Sequence, residues 1–227
     1  MRFRAVLFDA GNTLLGLDHA RIAPAVAAAT GLPLTAERLR EAGHRAADAL
    51  EEGKGTDQDR ALRYLALLFE LAGVPAPRMA EVQQVLWRLH GERHLWTGVG
   101  PGTPAALARL RDAGLPLGVV SNSDGRVAEA LRAAGLDGYF QVVVDSKLAG
   151  VEKPDPRIFL PALEALGVAP AEALYVGDVY EVDVVGARRA GMAAVLLDPA
   201  GRHAARDVTT APDVATVVDR LLGNGAF

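Results

Sequence analysis

Apolar residues along this chain follow two rhythms, and the change between them divides it. Residues 5–8, Ala-Val-Leu-Phe, form a short apolar run that ends on Asp9 and a Gly-Asn-Thr turn. That is the pattern of a buried strand delivering a carboxylate to its C-terminal tip. From about residue 19 to 95 the apolar positions recur at helical spacing, which predicts helices over 20–29, 36–50, 61–71 and 77–90. Thr35 and Asp57 are the expected N-caps of the second and third, and Gly73 with Pro75 marks the end of the third. Pro24 is accommodated near the start of the first.

From about residue 98 the rhythm becomes an alternation. Helices are expected over 103–112, 125–134, 155–166, 183–190 and 214–222, and strands over 115–120, 142–144, 174–176 and 193–197. Short apolar strands alternating with helices of about ten residues imply βαβ units. The expected fold class is therefore α/β, a parallel sheet flanked by helices on both faces. The opening strand belongs to that sheet, and a crossover is short, so the ~80 residues that follow are expected to be an inserted helical cap. The expected division is a core domain of 1–15 and 97–227, with a cap of 16–96.

Composition narrows the class. The 227 residues, 50% hydrophobic and 23% charged, suffice for a well-buried core. No apolar run approaches the ~18 residues of a membrane span, and the N-terminus lacks the apolar region of a signal peptide, so a cytoplasmic location is expected. The absence of cysteine removes disulfides, thiolate metal sites and Cys nucleophiles. A net charge of −4 and a pI near 5.7 argue against nucleic acid as a partner. Only three lysines occur, Lys54, Lys147 and Lys153, which makes each informative.

In a parallel sheet the strand tips share one edge, where ligands bind. Asp9, Ser121 with Asn122, and Asp178 each follow an apolar run, and Lys153 lies in the turn-rich segment Gly-Val-Glu-Lys-Pro-Asp-Pro before a helix. With Asp183 they form one candidate constellation. Clustered carboxylates repel unless a cation is present, and oxygen ligands at a hydrated site suit Mg²⁺ with substrate phosphate. A serine hydroxyl beside backbone amides at a helix start makes an anion seat. An aspartate nucleophile splits phosphoryl transfer into two easier steps. Taken singly, each residue also has a plainer reading: Asp9 as a turn cap, Ser121 and Asp183 as helix caps, Lys153 as a surface residue.

Four segments in this order, Asp9-Ala10-Gly11-Asn12-Thr13-Leu14, Ser121-Asn122, Lys153-Pro154-Asp155-Pro156 and Gly177-Asp178 with Asp183 five residues on, resemble the four motifs of the haloacid dehalogenase superfamily. The helical insert after the first motif is similar to that superfamily's first type of cap. The resemblance implies a Rossmann-like α/β core and an Mg²⁺-dependent hydrolase, a phosphatase of a small phosphorylated metabolite working through an aspartyl-enzyme intermediate. By it, Asp9 is nucleophile and metal ligand, and the Gly11 backbone carbonyl is a further ligand. Ser121 and the Asn122 amide hold phosphate, Lys153 orients and neutralises it, Asp178 binds metal, and Asp183 binds it directly or through water.

One position departs from the pattern. The superfamily's phosphatases usually carry an acid/base Asp two residues after the nucleophile, and Gly11 stands there. Its absence leaves three possibilities: a phosphatase of good leaving groups or one that borrows a cap histidine from His19, His44, His90 and His94; a phosphonatase-like C–P hydrolase; or a weakly active phospholigand-binding protein. A phosphonatase needs a cap lysine of lowered pKa, and Lys54, beside Glu51, Glu52 and Asp57, sits in a setting that raises it. Dehalogenases need no metal, whereas the acidic pattern is retained. Trp87 and Trp96 are expected in core packing rather than in a substrate pocket.

Overall fold

The computed structural model describes residues 3–49, 57–203 and 205–223, without the side chains of residues 48, 57 and 58. The described chain runs β1 (Ala5–Phe8), β2 (Leu15–Leu17), α1 (His19–Thr30), α2 (Ala36–Ala49), α3 (Asp57–Leu71), α4 (Met79–Glu92), β3 (Trp96–Val99), α5 (Thr103–Asp112), β4 (Leu117–Ser121), α6 (Val127–Ala133), β5 (Val142–Asp145), α7 (Ser146–Ala149), α8 (Leu160–Leu166), β6 (Ala173–Gly177), α9 (Val185–Arg189), β7 (Ala193–Leu197), β8 (Thr209–Ala211) and α10 (Val214–Gly223). It forms two compact units, Met1–Gly16 with Val99–Phe227, and Leu17–Gly98.

The first unit is built on a six-stranded sheet in the order β5-β4-β1-β6-β7-β8, and each of its pairings is parallel. Every residue of β1, β4 and β6 is buried, which is why these strands read as continuous apolar runs rather than as alternations. The chain builds outward from β1 to β5 and then crosses back to β6 on the other side of β1. The topological switch point of the sheet therefore flanks β1, whose C-terminal tip carries Asp9. Residues 5, 7, 120, 144, 173 and 175 face one layer of this core together with Ile158, Phe159, Leu163 and Ala187.

The second unit packs α1–α4 around Ile22, Val26, Leu39, Leu68, Phe69, Val82 and Leu89. Asp18 caps α1 by accepting the Arg21 N–H at 3.1 Å, and it also pairs with the Arg93 guanidinium at 2.9 Å. Arg21 in turn donates to the carbonyls of Leu89, Arg93 and His94 at 3.3, 2.9 and 2.8 Å. The open carbonyls at the end of α4 are thereby satisfied by a side chain from α1. Thr35 caps α2 as expected, its Oγ accepting the Arg38 N–H at 3.1 Å. Trp96 packs partly against this core, but Trp87 is 68% exposed on α4, contrary to the core position expected for it.

Several elements differ from expectation for local reasons. Strands β2 and β8 and helix α7 have three or four residues, too few to carry a period. The expected helix 155–166 is a 3₁₀ turn, Pro156–Phe159, followed by α8, whose Pro161 cannot donate to a preceding carbonyl. The expected helix 183–190 begins as one π turn, Tyr180–Val184, before α9. Asp57 is the first residue of α3 rather than the residue before it.

Candidate active site

Strand register puts the candidate residues on one edge. The Asp9 N–H extends the β1–β6 ladder by one step, donating to the Val176 carbonyl at 2.8 Å, so Asp9 is held where the strands end. Past it the chain turns sharply. Leu14 and Leu15 both donate to the Ala10 carbonyl at 2.9 Å, and Asn12 donates to the Leu15 carbonyl at 2.7 Å. Asn12 adopts a φ of 54°, a left-handed conformation that asparagine tolerates better than other side chains. The bridge between Gly11 and Leu15 uses the Ala10 carbonyl and the Asn12 amide, and neither of its bonds involves the Gly11 carbonyl.

Lys153 is the hub of the site. Its ammonium donates to Asp9 Oδ1 at 2.6 Å, Asp183 Oδ1 at 2.7 Å and the Tyr175 hydroxyl at 2.8 Å. Only 3% of Lys153 is exposed, so these bonds replace water rather than compete with it. Its backbone is held as closely. The Lys153 N–H donates to Asn122 Oδ1 at 2.8 Å, and Asn122 Nδ2 donates to the Lys153 carbonyl at 3.0 Å. The Asn122 side chain is thus bound to the lysine segment, a use beyond the phosphate contact expected of its amide.

Asp183 lies inside the π turn, 1% exposed. Its Oδ2 accepts the backbone N–H groups of Asp178 at 3.0 Å and Val179 at 2.8 Å, while Oδ1 faces Lys153 and Tyr175. This carboxylate is fully engaged by the protein. Asp178 is half-buried and accepts the Thr13 hydroxyl at 3.4 Å. Asp9, Asp178 and Asp183 each offer an oxygen within 4.8 Å of the others.

Ser121 is buried as the last residue of β4, and α6 begins six residues later at Val127. The helix start expected beside Ser121 is therefore a loop, residues 122–126. Two neighbours across the sheet hold that loop. Asp145, paired in register with Ser121, accepts the N–H groups of Gly125, Val127 and Lys147 at 3.1, 3.2 and 3.0 Å. Ser146 Oγ accepts the Ser123 N–H at 3.1 Å and donates to the Ser123 carbonyl at 3.3 Å.

Burial pushes the Asp9 carboxyl above the ordinary carboxylate range, the Lys153 ammonium draws it back down, and Asp183 raises it again. Burial alone would lower the Lys153 ammonium, but the Asp183 and Asp9 carboxylates outweigh that and hold it well above its usual value. Two buried carboxylates therefore share one ammonium, and Asp178 adds a further negative charge at the mouth. A hard divalent cation fits this donor set. Asp9, Asp178 and Asp183 each present one oxygen to it, the oxygens of Asp183 also accepting from Lys153 and from the Asp178 and Val179 amides.

Sequence reasoning missed Tyr175, Thr13, Asp145 and Ser146. A buried tyrosine in an apolar strand, two residues before Gly177 and so on the side of the sheet that Asp9 continues, was the one readable signal among them. Lys54 lies outside the described residues. In the helical unit the rings of His90 and His94 meet edge to face at 4.8 Å, and burial pushes the His19 imidazole down from its usual range.

The chain is similar to known proteins along most of its length. A family model described as haloacid dehalogenase-like hydrolase matches residues 3–191. The chain is 36% identical over 217 residues to haloacid dehalogenase-like hydrolase domain-containing protein 3 of Bos taurus, covering 88% of this chain and 86% of that one. It is 32% identical over 197 residues to a glyceraldehyde 3-phosphate phosphatase of Methanopyrus kandleri, covering 85% and 82%. Among solved structures, a HAD phosphatase from Thermococcus onnurineus superposes with a TM-score of 0.61 at 26% identity, covering 98% and 99% of the two chains.

Proposed function

Because the chain belongs to the haloacid dehalogenase-like hydrolases, enzymes with a helical cap inserted in an α/β core, we propose that it is a Mg²⁺-dependent phosphatase of a small phosphorylated metabolite, with Asp9 as nucleophile. The observation that carries this reading is the buried Asp9–Lys153–Asp183 array, with Asp178 beside it, at the switch point of the sheet. A bound Mg²⁺ supplies positive charge that draws an anionic phosphate toward a carboxylate and stabilises the charge of the transferring group.

The protein's own residues divide the remaining work. Lys153 holds Asp9 Oδ1 and Ser121 also bonds the carboxylate, which orients it for attack on phosphorus. The new bond from the Asp9 carboxylate oxygen to phosphorus forms as the bond from phosphorus to the ester oxygen breaks, and the leaving oxygen departs with the bonding pair. Water then attacks phosphorus and the bond from phosphorus to the Asp9 oxygen breaks, restoring the carboxylate; one of water's protons stays on the released phosphate, and the other passes to solvent and balances the leaving anion. Ser121 and the Asn122 amide donate to the phosphoryl oxygens, with Asp145 and Ser146 holding the loop that follows through its Gly125 and Ser123 amides. Asp9, Asp178 and the Gly11 carbonyl would hold the ion, and Asp183, its oxygens engaged by Lys153 and two backbone amides, would reach it directly or through water while bracing Asp178.

Gly11 offers no proton to the leaving oxygen. Esters whose leaving group departs as a stable anion are therefore the favoured substrates, and general-acid help is forgone, worth about 10²- to 10⁴-fold. The test is hydrolysis of p-nitrophenyl phosphate with and without Mg²⁺, with Asp9→Asn as control. The expected result is Mg²⁺-dependent turnover abolished by the substitution. Equal inactivity of both proteins across a broad panel of phosphate esters would overturn the proposal.

A further inference from the structure

We propose that Tyr175 is the positioning residue of Lys153: its hydroxyl holds the third N–H of the ammonium and ties it to β4, and so fixes the positive charge that faces Asp9. The effect on rate rests on the phosphatase reading above, whereas the hold on the ammonium rests on geometry alone.

An ammonium has three N–H donors. Asp9 Oδ1 at 2.6 Å, Asp183 Oδ1 at 2.7 Å and the Tyr175 hydroxyl at 2.8 Å engage all of them. The hydroxyl has a single proton and two acceptors in reach, the Val120 carbonyl at 2.8 Å and Asp183 Oδ1 at 3.4 Å. The shorter bond takes the proton, so the phenol oxygen meets Lys153 as an acceptor. The ring itself cannot turn away. It is fully buried and packs edge to face on Phe159, with centroids 5.1 Å apart and planes at 86°.

The result is a continuous chain from Asp9 through Lys153 and Tyr175 to Val120, joining the ends of β1, β6 and β4. Val120 immediately precedes Ser121, so the nucleophile and the phosphate seat share one rigid connection. Phenylalanine would meet the packing requirement against Phe159 equally well. The hydroxyl is the part that packing leaves unexplained, and its two partners are the lysine and the strand carrying the seat. Without it Lys153 retains two carboxylate partners, and its Nζ is free to shift between them.

Three lysines in the chain make the ammonium directly observable by nitrogen-15 NMR of the whole protein, with the exposed Lys147 as internal reference. The wild type is expected to show one slowly exchanging ammonium, assigned by its loss in Lys153→Arg, with a nuclear Overhauser contact to the Tyr175 ring. In Tyr175→Phe that signal should move to fast exchange. On p-nitrophenyl phosphate, kcat per folded molecule should fall about tenfold while KM changes less than about threefold, with folded fraction measured by circular dichroism. Fast exchange in the wild type, slow exchange persisting in Tyr175→Phe, or an unchanged kcat in a variant whose ammonium exchanges fast would each overturn the proposal. If Tyr175→Phe does not fold, the wild-type exchange and ring contact still decide the hold on Lys153. They also decide it if the wild type hydrolyses no phosphate ester, an outcome that sinks the phosphatase reading separately.

Discussion

Asn122 and Lys153, 31 residues apart in sequence, are joined by two hydrogen bonds in which the asparagine side chain brackets the lysine backbone, Oδ1 on its N–H at 2.8 Å and Nδ2 on its carbonyl at 3.0 Å. If the asparagine acts through the lysine, Asn122→Ala should lower kcat about tenfold or more in the wild-type background. In a Lys153→Ala background the same substitution should add little, because two residues that act as a unit are not additive. A double-mutant cycle on p-nitrophenyl phosphate measures this, and independent, multiplying losses would refute the coupling.

Asp145 makes a second prediction, on stability and loop order. It is 4% exposed and accepts three backbone N–H groups, two of them from the 122–127 stretch after Ser121. Asp145→Ala leaves those donors without partners, at a cost of about 1–3 kcal/mol. Urea unfolding gives the loss. Amide exchange should quicken at Gly125 and Val127 ahead of β1 and β6, and uniform quickening across the sheet would count against a local brace.

The alternation of strand and helix was legible because the central strands β1, β4 and β6, buried on both faces, leave uninterrupted apolar runs, and because Asp9 and Asp178 stand where such runs stop. Lys153 was legible through scarcity and its Pro-flanked turn. The sequence pattern sets Ser121 one residue outside its strand and beside a helix start that the structure lacks, since the polar run 121–124 marks the end of a strand equally well before a loop or a helix. Tyr175 was hidden for a different reason. In an apolar strand a tyrosine reads as core, and only the third dimension shows that its hydroxyl reaches a lysine 22 residues away. Bonds such as Asn122 to Lys153 depend on strand order across the sheet, which hydropathy does not encode.

Asp155, which begins the turn after Lys153, gives stability a pH dependence at its acid end. Side-chain and backbone bonds from Arg157 hold its carboxyl down at about 2, against an unfolded value of 3.8. A depressed native pKa contributes stability that is present above the unfolded value and lost as pH falls through the native one. The stability difference between wild type and Asp155→Asn should therefore be constant above pH 3.8 and vanish as pH approaches about 2. Denaturant midpoints of the two proteins across that range test it, and a difference independent of pH would show that the charge contributes nothing.

Gly11 invites a gain of function. A Cβ built there meets nothing within 4 Å, and its backbone lies outside the left-handed range, so a Cβ fits without displacing its neighbours. Gly11→Asp should raise turnover of alkyl phosphates by about tenfold or more while leaving p-nitrophenyl phosphate nearly unchanged, because only the poorer leaving group needs a proton. Gly11→Ala separates the carboxyl from the mere presence of a side chain. Equal rates for all three folded proteins on alkyl esters would show that the missing acid is not what limits them.

Gly177 is the opposite case, a glycine with no room. It ends β6 directly beneath Asp183, and a Cβ there would overlap that residue's carboxyl and methylene carbon. The overlap cannot be relieved by a small shift of a flexible tip, because Asp183 is held at both oxygens by Lys153 and by the amides of Asp178 and Val179. Gly177→Ala must therefore push the π turn outward or break one of those bonds. Overpacking of this kind costs about 1–3 kcal/mol. The functional loss should exceed what that destabilisation explains, since displacing Asp183 releases Lys153 from one carboxylate and frees the Asp178 amide. The expected outcome is a folded protein with kcat reduced about a hundredfold and a Lys153 ammonium in faster exchange. Loss of stability alone, with kcat per folded molecule intact, would mean that the glycine serves only the turn and that Asp183 is not what holds the lysine in place.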